Sequence, residues 1–228
     1  MTSRRPIAVV LGVIAVTAVL LAWLPLGLAT AVAVVATGVL LLLARRLGLT
    51  SYDLALDRAH LGRGARWAGV IVLVVAAGYA LVYAVPLTRD LLRDDRAPQS
   101  LGALAVAVLV VIPLHTVILE EIAFRGVLWG LVARDSGART ATVVSSLAFG
   151  LWHLGSAAGA LEGNRSVAES VGGSPLVTVL GFAGVVAVTS AAGVVLAVLR
   201  ERSGSLLAPM ALHWAANAAG TVAVFLAT

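Results

Sequence analysis

The amino-acid sequence predicts an all-α polytopic membrane helical bundle, with about seven transmembrane helices and a cytoplasmic N-terminus. Hydrophobic residues fill 61% of the 228 positions and charged residues only 12%, with mean hydropathy +1.04. A soluble domain is about 45–50% apolar and about 25% charged. Apolar runs of spanning length, about 20 residues, recur along the chain. The 16 basic residues are all arginine and sit in short clusters between those runs. That is the loop pattern of a membrane protein, not a nucleic-acid surface, despite the net charge of +5. With no cysteine, disulfides, thiolate catalysis, iron–sulfur clusters and cysteine-based zinc sites are excluded. The lack of lysine points to a high-GC genome and a bacterial source.

Seven spans are predicted, over 7–25, 26–44, 68–88, 101–132, 140–156, 175–199 and 206–227. Pro25 and Gly27 alone divide the first two, which makes them a tight hairpin. Arg4 and Arg5 before an apolar stretch imitate a signal peptide, but the second apolar run follows at once and predicts an uncleaved anchor. The segment 45–67 is basic and amphipathic, and is expected to lie on the inner membrane surface. The fourth span is long and polar, and Pro113 is a candidate kink. The fifth is short, as suits a helix buried among others. The Gly/Ser-rich segment 157–174 reads as an outer loop, and its sequon at Asn164 carries little weight. Residues 1–100 thus hold the N-terminal helices and the basic loop, residues 101–228 the polar-bearing core, within one integrated membrane domain.

Arginine bias sets the orientation. With the N-terminus inside, the cytoplasmic segments hold 11 arginines and the outer loops 4, and Arg125 lies within a span. Counting acids as well, the inner segments carry +7 and the outer ones −1. The protein is therefore expected to be a multi-pass protein of the bacterial inner membrane.

Ionisable residues inside spans are expensive and mark function by default. They are His115, Glu120, Glu121, Arg125, His153 and His213, with Asn217 as a polar companion. Glu121 and Arg125, four apart, share a helical face and can pair. Glu120 is turned about 100° away and is left for acid–base work. Phe149 shares a face with His153, and His213 with Asn217. His115 has no such companion and reads as an ordinary core histidine. Glu120 to Arg134 is 14 residues, Arg139 to His153 is 14, and Arg202 to His213 is 11. At about 1.5 Å per residue the groups lie at similar depth and can converge. One glutamate and two histidines (Glu120, His153, His213) can ligate a divalent metal such as zinc. Without a metal, Glu120 can deprotonate a water while a histidine or Asn217 stabilises the oxyanion. Either route hydrolyses a carbonyl compound. No His-Glu-x-x-His, P-loop or dinucleotide fingerprint occurs.

Glu120-Glu121-x-x-x-Arg125, Phe149-x-x-x-His153 and His213-x-x-x-Asn217 resemble, in order, the three motifs of the CAAX protease and bacteriocin-processing (CPBP, or Abi) intramembrane protease family, which includes the type II CAAX prenyl endopeptidases. Phe124-Arg125-Gly126, Ser145 to Gly150, and Gly204-Ser205-Leu206 with Ala208-Pro209 match as flanks. The resemblance covers roughly 101–226 and implies a cavity open to the cytoplasm. It implies that Glu120 and His153 activate water, that His213 and Asn217 hold the oxyanion, and that Glu121 and Arg125 support them. It implies a membrane-associated or hydrophobic peptide substrate, CAAX or prenylated-like among the candidates, and no nucleic acid. No cofactor is required on the reading favoured by Asn217, a poor zinc ligand but a good oxyanion donor; the alternative is a metallo-endopeptidase. Some relatives carry an eighth span; seven are expected here, with eight as the alternative count. The competing reading is a non-catalytic membrane partner or bacteriocin self-immunity protein. A proton-coupled transporter ranks last, because the sequence has no internal repeat.

Overall fold

The computed structural model describes residues 5–85, 98–155 and 175–227. Every regular element among them is a helix: α1 Arg5–Trp23, α2 Leu26–Arg46, α3 Arg58–Ala84, α4 Leu101–Trp152, α5 Pro175–Ser203 and α6 Leu207–Ala227. All six are long and apolar enough to cross a membrane.

Pro25 caps α2, and the α1–α2 hairpin forms as the sequence predicts. In α1 the buried residues Val10, Ile14 and Thr17 follow a helical period. In α2 they are mostly alanines (Ala29, Ala33, Ala36 and Ala44, with Leu40), which permit close helix approach. Gly48 ends the helix at φ 74, the left-handed conformation that suits glycine.

The helix α4 is 52 residues long. At about 1.5 Å per residue that is more than twice a bilayer core of about 30 Å. It does not run straight. At Gly137 the backbone takes φ 81 and ψ 167, and the chain reverses. Trp129 then meets Thr142 (3.1 Å), Phe124 meets Phe149 (5.4 Å between centroids), and Glu120 meets Trp152 (3.0 Å). These pairs are symmetric about the turn, so 101–136 and 138–152 form an antiparallel hairpin. Six apolar helices thus supply seven rods, matching the predicted spans at 101–132 and 140–156. Two stretches of the first arm, Ala107–Val117 and Glu121–Leu128, are wound into wide π-type turns. Pro113 sits in the first, where it removes a backbone donor. The predicted irregularity is thus a widening of the helix. The second arm packs closely on α5 through small residues. A Cβ on Gly150 would collide with Ser190 Oγ, and one on Gly193 would lie 3.0 Å from Ser146 Cα.

The segment 45–67 differs from expectation. Its second half is already helix α3, and only 47–57 is non-helical. That stretch is folded into the end of the bundle. Leu49, Leu54 and Ala55 are buried in the core. Ala55 O accepts the Leu206 amide (2.9 Å). Arg134 clasps Asp53 Oδ2 and Gly48 O, both at 2.6 Å. Arg200, expected in a solvated loop, is instead buried. It donates to Arg125 O (2.7 Å) and to Asp53 O, and stacks on Trp129 at 3.5 Å. Its burial follows from the inserted loop, whose carbonyls need a donor. Parts of the predicted outer loops, 86–97 and 156–174 with the sequon, lie outside the described residues.

Candidate active site

The site is built where the α4 hairpin meets α6. The second wide turn of α4 carries Glu121 and Arg125, and Glu120 immediately precedes it. Wide turns of this kind recur at functional sites because they re-aim side chains from a regular helix. Glu121 and Arg125 are both 0% exposed, and Glu120 is 5% exposed. Arg125 Nη1 donates to Glu121 Oε1 at 3.2 Å, the i,i+4 pairing predicted from spacing. The guanidinium also lies over the Phe149 ring, 3.9 Å from its centroid.

Each histidine is oriented through Nδ1. In His153, Nδ1 donates to Phe149 O at 2.8 Å. In His213, Nδ1 lies 2.9 Å from Glu121 Oε1 and donates to that carboxylate. A neutral ring so held carries its lone pair on Nε2. Both Nε2 atoms approach Glu120 Oε2, His213 at 3.8 Å and His153 at 3.9 Å. Glu120 Oε1 accepts the indole N–H of Trp152 at 3.0 Å, while Oε2 is buried with no hydrogen-bond partner among the described residues. Phe149 stands between the rings, edge-on to His153 (4.5 Å) and His213 (6.0 Å).

Five of the residues singled out in the sequence therefore converge: Glu120, Glu121, Arg125, His153 and His213. Asn217 lies one turn beyond His213 and is exposed, and its backbone carbonyl accepts the Thr221 hydroxyl. No hydrogen bond joins its side chain to the cluster among the described residues. His115 sits apart, its Nδ1 3.5 Å from Thr30 Oγ1 of α2. Trp152 is a contact that spacing alone does not reveal. A partly buried indole N–H needs an acceptor, but the sequence alone does not say which.

One carboxylate oxygen and two imidazole nitrogens are the donor types of a zinc centre. A zinc tetrahedron with bonds of about 2.0–2.1 Å has edges of about 3.3 Å. The observed separations are wider, and no group of three acidic or histidine side chains among the described residues is arranged to hold a metal ion. A metal ion would require Glu120, His153 and His213 to draw closer together than they stand. The chemistry of the cluster is that of a buried carboxylate flanked by two imidazoles.

A family model for Rce1-like type II CAAX prenyl endopeptidases matches residues 102–219. No curated protein and no solved structure matches the chain. The matched region starts one residue into α4, ends within α6 and contains every residue of the cluster. It spans 118 of the 228 residues, just over half of the chain. All three motifs lie inside it in order, and the chain belongs to the Rce1-like family of type II CAAX prenyl endopeptidases.

Proposed function

We propose that this protein is an intramembrane endopeptidase that cleaves a membrane-associated or hydrophobic peptide with a water activated by Glu120. One observation carries the reading: Glu120 Oε2 is buried without a hydrogen-bond partner among the described residues and faces Nε2 of both His213 and His153. A carboxylate oxygen held this way is suited to take a proton from water. Glu120 removes the proton as the hydroxyl oxygen bonds to the scissile carbonyl carbon. The proton then passes to the departing amine as the C–N bond breaks. His153, fixed by Phe149 O, borders the same water position. His213 serves the oxyanion in its doubly protonated form, with Nδ1–H on Glu121 and Nε2–H toward the substrate oxygen. Asn217, on the same face of α6, supplies the second donor. Glu121 and Arg125 act through His213 as positioning residues.

The substrate class follows from the surroundings. The cluster lies within helices that cross a bilayer, so a peptide reaching it is apolar or membrane-anchored, a CAAX or prenylated-like tail included. The site opens toward the cytoplasm of a bacterial cell on the arginine bias. A divalent metal, if used, would be held by Glu120, His153 and His213 and would supply water activation.

The reading is tested with His153→Ala and His213→Ala in detergent-purified protein against apolar C-terminal peptides, with and without a chelator. Each variant is expected to lose about 10²-fold or more in kcat while remaining folded, and the wild type to keep its activity in chelator. Full activity in both folded variants would remove the hydrolytic role and favour a non-catalytic partner. Activity lost in chelator and restored by zinc would replace the metal-free mechanism with the metallo one.

A further inference from the structure

The helix α3 is 27 residues long. At about 1.5 Å per residue it rises about 40 Å, roughly 10 Å more than a bilayer core. Its first two turns therefore stand at headgroup level, and its sequence marks the crossing: Arg63, Arg66, Trp67, then Val70. Arginine, tryptophan and valine in that order are the polarity gradient of a membrane interface. Trp67 and Val70 are exposed, so in a bilayer they face lipid.

Two concavities meet at Arg63. One, of about 440 Å³, is lined by Arg63, Arg66, Trp67 and Val70 alone. The other, of about 430 Å³, lies at the end of the bundle, where Arg134 of α4 and Arg200 of α5 join Arg63, with His60 and Tyr52. Its two acids are already engaged, Asp53 by Arg134 and Thr50, and Glu201 by the Thr142 hydroxyl. Arg63 Nε donates to Ser203 O at 2.7 Å, which fixes the plane of the guanidinium and leaves its terminal nitrogens for another partner.

We propose that these joined concavities bind one anionic phospholipid, its phosphate at Arg63 and Arg66 and an acyl chain over Trp67 and Val70. A free phosphate would use the arginines but not Trp67 and Val70, and the presence of these apolar residues beside Arg63 and Arg66 in one concavity selects a lipid. A headgroup held by Arg63 and Arg66 would sit beside loop 47–57, whose Asp53 already engages Arg134. The assignment does not rest on the hydrolytic reading.

Delipidated full-length protein is titrated in detergent with phosphatidylglycerol, phosphatidylcholine or inorganic phosphate, and binding is read by native mass spectrometry and thermal shift. Phosphatidylglycerol is expected to bind and raise the melting temperature, with phosphatidylcholine weaker and phosphate without effect. At about five-fold per interfacial arginine, the double variant Arg63→Gln, Arg66→Gln should bind roughly thirty-fold more weakly. Arg66→Gln alone leaves the Ser203 contact intact and should lose about five-fold. Trp67→Ala should weaken lipid binding too. Equal binding of the two lipids, equal affinity of wild type and Arg66→Gln, or protection by phosphate alone would each overturn the proposal.

Discussion

Trp152 and Glu120 illustrate how a site is positioned one hydrogen bond at a time. The indole N–H holds Oε1, so the other oxygen faces the histidines. Trp152→Phe keeps the ring and removes the donor. It is expected to lower kcat about ten-fold with KM little changed, and steady-state kinetics on a folded variant checks this. Arg125→Met leaves Glu121 buried without its cation. Breaking such a pair costs about 3–5 kcal/mol, so this variant is expected to melt far below the wild type in detergent, and Glu121→Gln, which leaves Arg125 buried without its anion, is expected to do the same. Glu120, Glu121, Arg125, His153 and His213 were legible in the sequence because charge inside a span is rare and needs a partner. Trp152 and Arg200 were not. A tryptophan in an apolar run and an arginine near a helix end both have ordinary explanations, and only the folded chain gives them acceptors.

The hairpin of α4 depends on one backbone conformation. Gly137 at φ 81 and ψ 167 lies in a region essentially reserved for glycine. A Cβ there would meet no atom within 4 Å, so the cost of Gly137→Ala is backbone strain alone, about 1–3 kcal/mol. Gly62→Ala, also in open space but inside α3, should instead be neutral or stabilising. Thermal unfolding of the two variants side by side tests the contrast. The clasp on loop 47–57 has a pH signature. Partial burial raises the Asp53 pKa, but hydrogen bonds from Arg134 and Thr50 outweigh it and hold the carboxyl at about 2, against an ordinary 3.8. The group's contribution to stability is therefore complete above pH 3.8 and is lost as pH falls through about 2. Melting curves from pH 7 to pH 2 should show a late acid drop that Asp53→Asn reduces. The spans were legible from hydropathy, but the insertion of loop 47–57 was not. Its Leu49, Leu54 and Ala55 have no periodicity, and their burial comes from packing against distant elements.

At the scale of the molecule, loop 47–57, Arg134 and Ser203 are gathered at one end of the bundle by Asp53, Arg200 and Arg63. On the arginine bias we propose that this end faces the cytoplasm. With no native cysteine, single-cysteine labelling gives a clean test. Ser51→Cys and Ser136→Cys should react with an impermeant thiol reagent only after the cells are opened, and Ser100→Cys in intact cells. The reverse pattern would invert the topology. The motif spacing also gave the common depth of the three clusters, and the folded chain brings Glu120, His153 and His213 together. The central claim is that Glu120 is the base of a peptide hydrolysis. The most direct measurement compares wild type with Glu120→Gln for cleavage of apolar and prenylated C-terminal peptides, both proteins purified in detergent and checked for fold. Cleavage by the wild type, lost by about 10²–10⁴-fold in Glu120→Gln, is the predicted result. Equal cleavage by the two proteins would contradict it.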